Sequence, residues 1–187
     1  MITSVDNIVI RKMKDEESDY KLLTKWLSDE HILEFYQGRD NPSNINQIIE
    51  KYGPRTKEDS RVTPCIIEFS GEAIGYIQYY TIDKDEMVEY GYEDNEAIYA
   101  MDLFIGEIGF QNKGIGEKVI KSLVSYLKIK KCADRIVIDP RIVNKRAIRC
   151  YEKCGFIEKK VLERHELHEG VHWDNLLMEI DCKKAEI

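Results

Sequence analysis

Gln111-Asn112-Lys113-Gly114-Ile115-Gly116, running into Glu117–Lys131, decides how the rest of the chain is read. From Ile115 onward Val119, Ile120, Leu123, Val124 and Leu127 recur at helical spacing, so Gly114–Lys131 reads as an amphipathic helix entered through glycines. Two glycines two apart at a helix start let the backbone approach a ligand closely. They also leave amide N–H groups unpaired at the positive helix end, an anion site suited to a pyrophosphate. By itself the hexamer also fits tight helix packing. The Walker spacing GxxxxGK[ST] is absent and so is the Rossmann spacing GxGxxG.

Working outward, Ala97–Ile105 reads as the strand before this helix, with Gly106–Lys113 as a loop between them. Arg135–Asp139 is a short buried strand after it (Ile136, Val137, Ile138), and Asn144–Cys154 is a second helix ended by Gly155. Phe156–Leu162 and Trp173–Ile180 close the sheet. Towards the N-terminus, Asn7–Met13 is a strand. Asp15 then caps a helix carrying Leu22, Leu23, Trp26 and Leu27. Pro42-Ser43 opens a short helix with Ile45, Ile48, Ile49 and Tyr52, stopped by Gly53-Pro54. Arg61–Phe69 and Glu72–Ile82 are joined by Ser70-Gly71 as a hairpin. The acidic stretch that follows, 83–96, reads as a long loop. This order predicts a single α/β (α+β) domain over residues 1–187, with a mixed central β-sheet flanked by helices.

Composition bounds the function. The 187 residues are 43% hydrophobic and 34% charged, with 11 Gly and 4 Pro, which excludes a disordered or collagen-like chain. No apolar run is long enough for a membrane span, and the first twenty residues lack the apolar core of a signal peptide, so a cytoplasmic protein is expected. A net charge of −7 argues against nucleic acid as the main partner. The five cysteines, Cys65, Cys132, Cys150, Cys154 and Cys182, form no CxxC pair and suggest neither a disulfide framework nor a zinc site. His165, His168 and His172 lack completing ligands, and no metal is expected.

The charge is distributed in blocks. Asp83–Glu107 holds nine acids against Lys84 alone, net −8, whereas Gln111–Lys131 holds six lysines and one glutamate, net +5. Such blocks are commonly solvated faces, yet the split also suits an anionic cofactor in one region and a cationic substrate in another.

The second element arrives at the right distance: Asn144-Lys145-Arg146-Ala147-Ile148-Arg149-Cys150-Tyr151-Glu152-Lys153-Cys154-Gly155-Phe156. Together with QNKGIG, this N-x-x-A-I-x-x-Y-x-K-x-G-F string resembles the acetyl-CoA-binding core of the Gcn5-related N-acetyltransferase (GNAT) superfamily. The resemblance implies a cradle for the CoA pyrophosphate made by the amides of Gln111, Asn112, Lys113, Gly114, Ile115 and Gly116. It implies strand-like pairing of the pantetheine with the Leu103-Phe104-Ile105 backbone, through Leu103 and Ile105. Asn144 is then expected on the pantetheine arm and Tyr151 near the CoA sulfur, where a phenol suits protonation of the departing thiolate.

Further stretches are similar to aminoglycoside 6'-N-acetyltransferases: His31–Arg39, Gly75–Tyr80, Met101–Gly106, Asp139-Pro140 and His165–Gly170. The resemblance implies a polycationic aminoglycoside as substrate. Asp102, Asp139 and Glu169 would stand against its amines, Gln78 and Tyr80 would line the pocket, and Tyr36 would form a wall. The implied reaction is direct attack of a neutral amine on the acetyl thioester, with Asp102 accepting the ammonium proton or orienting the ammonium. A backbone N–H on the Asp102–Ile105 strand would polarise the thioester oxygen. Two alternatives stay open: an acetyltransferase for another amine (a polyamine or a protein N-terminus), and a non-catalytic acetyl-CoA sensor. The chain is expected as a monomer or homodimer.

Overall fold

The computed structural model, which describes residues 1–93 and 95–184, contains sixteen strand and helix segments. The N-terminal part contains β1 (Thr3–Val5), β2 (Ile8–Lys12), α1 (Glu17–Trp26), α2 (Glu30–Leu33) and α3 (Ile45–Tyr52), then a 3₁₀ turn (Pro54–Thr56). Next come β3 (Val62–Phe69), β4 (Glu72–Thr81), α4 (Lys84–Tyr90), β5 (Ile98–Ile105) and a second 3₁₀ turn (Ile108–Phe110). α5 (Ile115–Lys130), β6 (Arg135–Ile138), α6 (Lys145–Lys153), β7 (Ile157–His168) and β8 (Val171–Asp181) complete it.

The strands form one mixed sheet in the order β1-β2-β3-β4-β5-β6-β8-β7. Among the described residues only β5 and β6 pair in parallel, and parallel neighbours need a crossover, which α5 supplies. Their ladder is short, matching Ile98–Ala100 with Arg135–Val137. On its other side β5 stays paired with β4 as far as Ile105. The sheet therefore parts beyond Ala100, and the second half of β5 has no strand beside it on the β6 side among the described residues. That parting creates the site.

Period-two alternation sorts the side chains of β4 and β5 between the two faces of the sheet. Ile77, Tyr79 and Met101 pack with Val119, Ile120, Leu123 and Leu127 of α5. Tyr76 and Phe104 point the other way, against Leu23 and Trp26 of α1 and Ile48 and Tyr52 of α3. Each fully buried aliphatic side chain contributes about 1.5–3 kcal/mol, so α5 is held chiefly by this stripe. Gly106 is required where it stands, since a Cβ there would lie 2.4 Å from Trp26 Cγ, and the Trp26 indole N–H donates to Glu107 at 2.8 Å.

Four boundaries differ from the sequence reading, each for a local reason. Asp15 does not cap α1. Its carboxylate accepts from the Tyr20 hydroxyl and pairs with Lys57, and the N-cap is Glu16 with no side-chain bond. α3 begins not at Pro42-Ser43 but after Asn44, which forms a reciprocal capping box with Gln47. The acidic stretch is not simply a long loop: Asp83 and Glu86 form a second capping box that starts α4, and Gly91 ends it at φ +76°. Asp94, also in that stretch, lies outside the described residues. The closing strands run longer than Phe156–Leu162 and Trp173–Ile180, because Glu169 and Gly170 both adopt positive φ (51° and 74°) and make a tight hairpin turn.

Candidate active site

A cleft of about 830 Å³ opens where β5 and β6 part. One end lies under the start of α5. Asn112 and Gly114 are both left-handed, at φ 58° and 74°, and no side chain caps the helix, so its first amides carry no intramolecular cap. Beside Gly114, Gln111 donates through its side chain to the Ile105 carbonyl at 2.9 Å, tying this turn to the end of β5. From α6, Asn144 accepts from the Ala147 amide at 3.2 Å as N-cap, and Tyr151 borders the same cleft. Burial raises the Tyr151 phenol above its ordinary range, which keeps it protonated.

The other end is acidic and aromatic. Asp102 and Gln78 stand directly opposite in the β4–β5 ladder. The Gln78 side-chain amide donates to Asp102 Oδ2 at 2.7 Å and accepts from the Tyr76 hydroxyl and from Arg55 Nη1, both at 2.9 Å. Burial and the neighbouring Asp139 carboxylate push the Asp102 carboxyl up to about 6, while Gln78 and Arg55 act to lower it. Tyr36 packs edge-on against Phe104 at 4.8 Å between ring centres and forms one wall.

Asp139 follows β6 and faces His165, whose Nε2 lies 3.3 Å from Asp139 Oδ2. The other ring nitrogen is 2.9 Å from Glu89 of α4, and the two carboxylates raise the imidazole to about 9. Asn175 of β8 donates to both Asp139 Oδ2 and Glu166 Oε2 at 3.2 Å, holding two acids side by side. Arg141, 6% exposed, reaches Glu166 at 3.6 Å.

The cleft thus brings together Tyr36, Gln78, Asp102, Leu103, Phe104, Ile105, Gln111, Asn112, Gly114, Gly116, Asp139, Asn144 and Tyr151. Four further candidates from the sequence stand away from its wall. Lys113 extends over the Phe110 ring, and Ile115 turns its side chain into the core, leaving only its amide at the helix start. Tyr80 lies beyond Gln78, packed against the cluster around α4 with Arg61 over its ring. Glu169 sits on the β7–β8 turn, where Arg39 binds it through the backbone amide and both arms of the guanidinium (2.7–2.9 Å) and holds its carboxyl at about 2. Glu166, three residues earlier, is the acid of that segment that borders the cleft.

Sequence reasoning missed Arg55, Glu166, His165 and Asn175. Gly53-Pro54 signalled a helix stop, but not that the following 3₁₀ turn would deliver Arg55 to Gln78. His165 and Glu166 fall within the His165–Gly170 stretch, where the resemblance points only to Glu169 as a site residue, and the histidines otherwise figure only as metal ligands. Among the described residues no cluster of three or more His, Cys, Asp or Glu is placed to hold a metal ion.

Residues 15–164 match the acetyltransferase (GNAT) domain family. The chain is 33% identical over 153 residues to aminoglycoside N(6')-acetyltransferase type 1 of Klebsiella pneumoniae, covering 82% of this chain and 75% of that one. It superimposes on the solved structure of AAC(6')-Ib with ribostamycin and coenzyme A at a TM-score of 0.76 and 26% identity, covering 97% and 100% of the two chains. A spermidine N-acetyltransferase from Vibrio cholerae shares the fold at a TM-score of 0.78 and 19% identity, covering 95% and 97%.

Proposed function

The chain belongs to the GNAT acetyltransferase family, and we propose that it transfers the acetyl group of acetyl-CoA to the 6'-amine of aminoglycoside antibiotics, conferring resistance by capping that amine. The observation that carries the reading is Asp102. It is a carboxylate enclosed in the cleft wall with no ion-pair partner among the described residues, whereas Asp139, Glu166 and Glu169 each face a cation of the protein itself. A half-buried anion without an ion-pair partner is costly, and an arriving ammonium relieves that cost. The relatives named above support the same substrate class.

Acetyl-CoA would lie along the parted edge of β5. The amides at the start of α5 would hold its pyrophosphate, the Leu103–Ile105 backbone would pair with its pantetheine, and Asn144 and Tyr151 would flank the arm and the sulfur. Two of these groups are already engaged within the protein: the Asn144 side-chain oxygen as N-cap of α6, and the Ile105 carbonyl by the Gln111 side chain.

The substrate ammonium binds Asp102 and gives up a proton to it, directly or through water. The neutral amine attacks the acetyl carbonyl, an N–H of the Asp102–Ile105 strand bears on the oxyanion, and the C–S bond breaks. Tyr151 then gives its phenolic proton to the departing thiolate and is reprotonated, through water, by the second proton that the acetylated nitrogen sheds as the amide forms. With a carboxyl near 6 rather than near 4, Asp102 is a usable base at neutral pH while still mostly ionised. Asp139 and Glu166, bridged by Asn175, would receive a further ammonium of the polycation. Residues 1–187 would form one domain and the enzyme would work in the cytoplasm, where five free cysteines suit a reducing compartment. No helix among the described residues is long and apolar enough to cross a membrane.

The test is acetyl-CoA consumption with kanamycin, with an analogue bearing a 6'-hydroxyl, and with spermidine. Turnover of kanamycin and not of the 6'-hydroxyl analogue is expected. Turnover of spermidine without kanamycin would assign the chain to polyamines, and binding of acetyl-CoA with no turnover of any amine would make it a sensor.

A further inference from the structure

Arg55 is a cation lining a cleft read as a receptor for cations. Its place is built rather than incidental. Gly53 and Pro54 turn the chain out of α3 into the 3₁₀ segment, Thr56 closes that turn by donating to the Gly53 carbonyl at 2.7 Å, and the guanidinium lies 5.1 Å from the centre of the Tyr52 ring. From there Nη1 donates to Gln78 Oε1 at 2.9 Å. The Tyr76 hydroxyl reaches the same oxygen at the same distance. A guanidinium has no acceptor, so the atom it meets must be the amide oxygen, and the Gln78 NH₂ is thereby turned to Asp102.

We infer that Arg55 is a positioning residue for the reaction: through Gln78 it fixes the orientation of the Asp102 carboxylate, and its charge favours the anionic form of that carboxylate. The inference rests on the reading of Asp102 as the group that meets the substrate amine. The surroundings of Asp102 explain why a cation is needed. Asp139 beyond β6 and Glu166 on β7 face it as anions. The phenols of Tyr36, Tyr52 on α3, Tyr76 and Tyr80 on β4, Tyr90 on α4 and Tyr151 on α6 surround it without charge at neutral pH. Burial and two like charges all favour the protonated acid, which neither binds an ammonium nor accepts its proton. His165 is engaged with Asp139 and Glu89, and Arg141 is turned to Glu166 and the Glu34 carbonyl. Arg55, seated on Gln78, is a cation that does bear on Asp102.

The role has a cost that shapes specificity. A fixed positive charge beside Asp102 repels a second ammonium of the substrate from that spot, so the site accepts one amine at Asp102 and directs the others towards Asp139 and Glu166.

The experiment compares the wild type with Arg55→Gln and Arg55→Lys in two measurements. The first is the carboxyl titration of Asp102 by ¹³C NMR in the protein without substrates, assigned with Asp102→Asn. The second is the pH profile of kcat/KM for kanamycin. Arg55→Gln is expected to move both the titration and the acid limb upward by about one pH unit, the usual scale of one nearby charge. Arg55→Lys, which keeps the charge, restores most of the shift but not the full rate, since an ammonium holds Gln78 less rigidly than a planar fork. An unmoved Asp102 titration in Arg55→Gln, or a rate lowered equally at every pH, overturns the inference. A moved titration in a protein that acetylates no aminoglycoside supports the assignment of Arg55 and overturns the proposed substrate, so the two failures are told apart.

Discussion

Gln78 donates to Asp102 Oδ2 at 2.7 Å from the position directly opposite in the β4–β5 ladder, where the sheet begins to part. This cross-strand contact places a carboxylate in the wall of the cleft and satisfies one of its oxygens. Replacing Asp102 by Asn leaves the shape intact and removes the charge. Kanamycin kcat/KM is expected to fall about 10²–10³-fold, the range of a general base. Stability moves the other way. The folded carboxyl sits near 6, above its ordinary value, so the charged form is the strained one at pH 7. Asp102→Asn should raise the unfolding free energy at pH 7 by up to about 3 kcal/mol, an upper bound that local relaxation reduces. Denaturant unfolding of both proteins checks it.

The same shift gives the enzyme a pH signature. A carboxyl raised in the folded state binds its proton more tightly there than in the unfolded chain. Its ionisation therefore costs stability as pH rises from about 4 to about 6. Activity follows the opposite course: kcat/KM should rise with pH to a plateau above an apparent value near 6, with a limb of unit slope below it. A profile flat between pH 5 and 8 would remove Asp102 from the proton transfer.

How much of this was legible in the residues follows from how local each signal was. The glycines at 114 and 116, the α5 stripe and the Asn144–Phe156 helix are short-range patterns, and they located the fold and the acyl-donor end of the cleft. Gln78 and Asp102 were separate expectations 24 residues apart, and only strand register makes them partners. Glu169 and Glu166 differ by three residues on one hairpin, and the choice between them depends on a turn at positive φ and on Arg39, which lies 130 residues away in the chain. The acidic stretch looked like a loop because its helical segment is short. The Asp83/Glu86 capping box was present in the sequence and is the signal that identifies α4.

Gly114 supplies a conformation as well as clearance. Its φ of +74° is in the left-handed region, and a Cβ there would meet no atom of the protein within 4 Å. Gly114→Val therefore strains the backbone by about 1–2 kcal/mol even though its Cβ meets nothing. It also projects a branched side chain beside the helix amides. The KM for acetyl-CoA should rise at least about tenfold, with kcat at saturation changed less. An unchanged KM for acetyl-CoA would separate this turn from pyrophosphate binding.

Two glutamates on one hairpin give the last test. Glu169 is half-buried and held by Arg39 at the turn, away from the cleft, so Glu169→Gln should leave kanamycin kcat and KM within about twofold of wild type. Glu166 borders the cleft, sharing Asn175 with Asp139. Glu166→Gln removes half of the paired negative charge expected to receive a second ammonium, so KM for kanamycin should rise about fivefold or more, with kcat less affected. The effect should shrink for a substrate carrying fewer amines, because fewer ammonium groups then depend on that end of the cleft. If Glu169→Gln instead raises KM and Glu166→Gln does not, the turn must open from Arg39 when substrate binds, and the acid of this segment that meets the drug is Glu169.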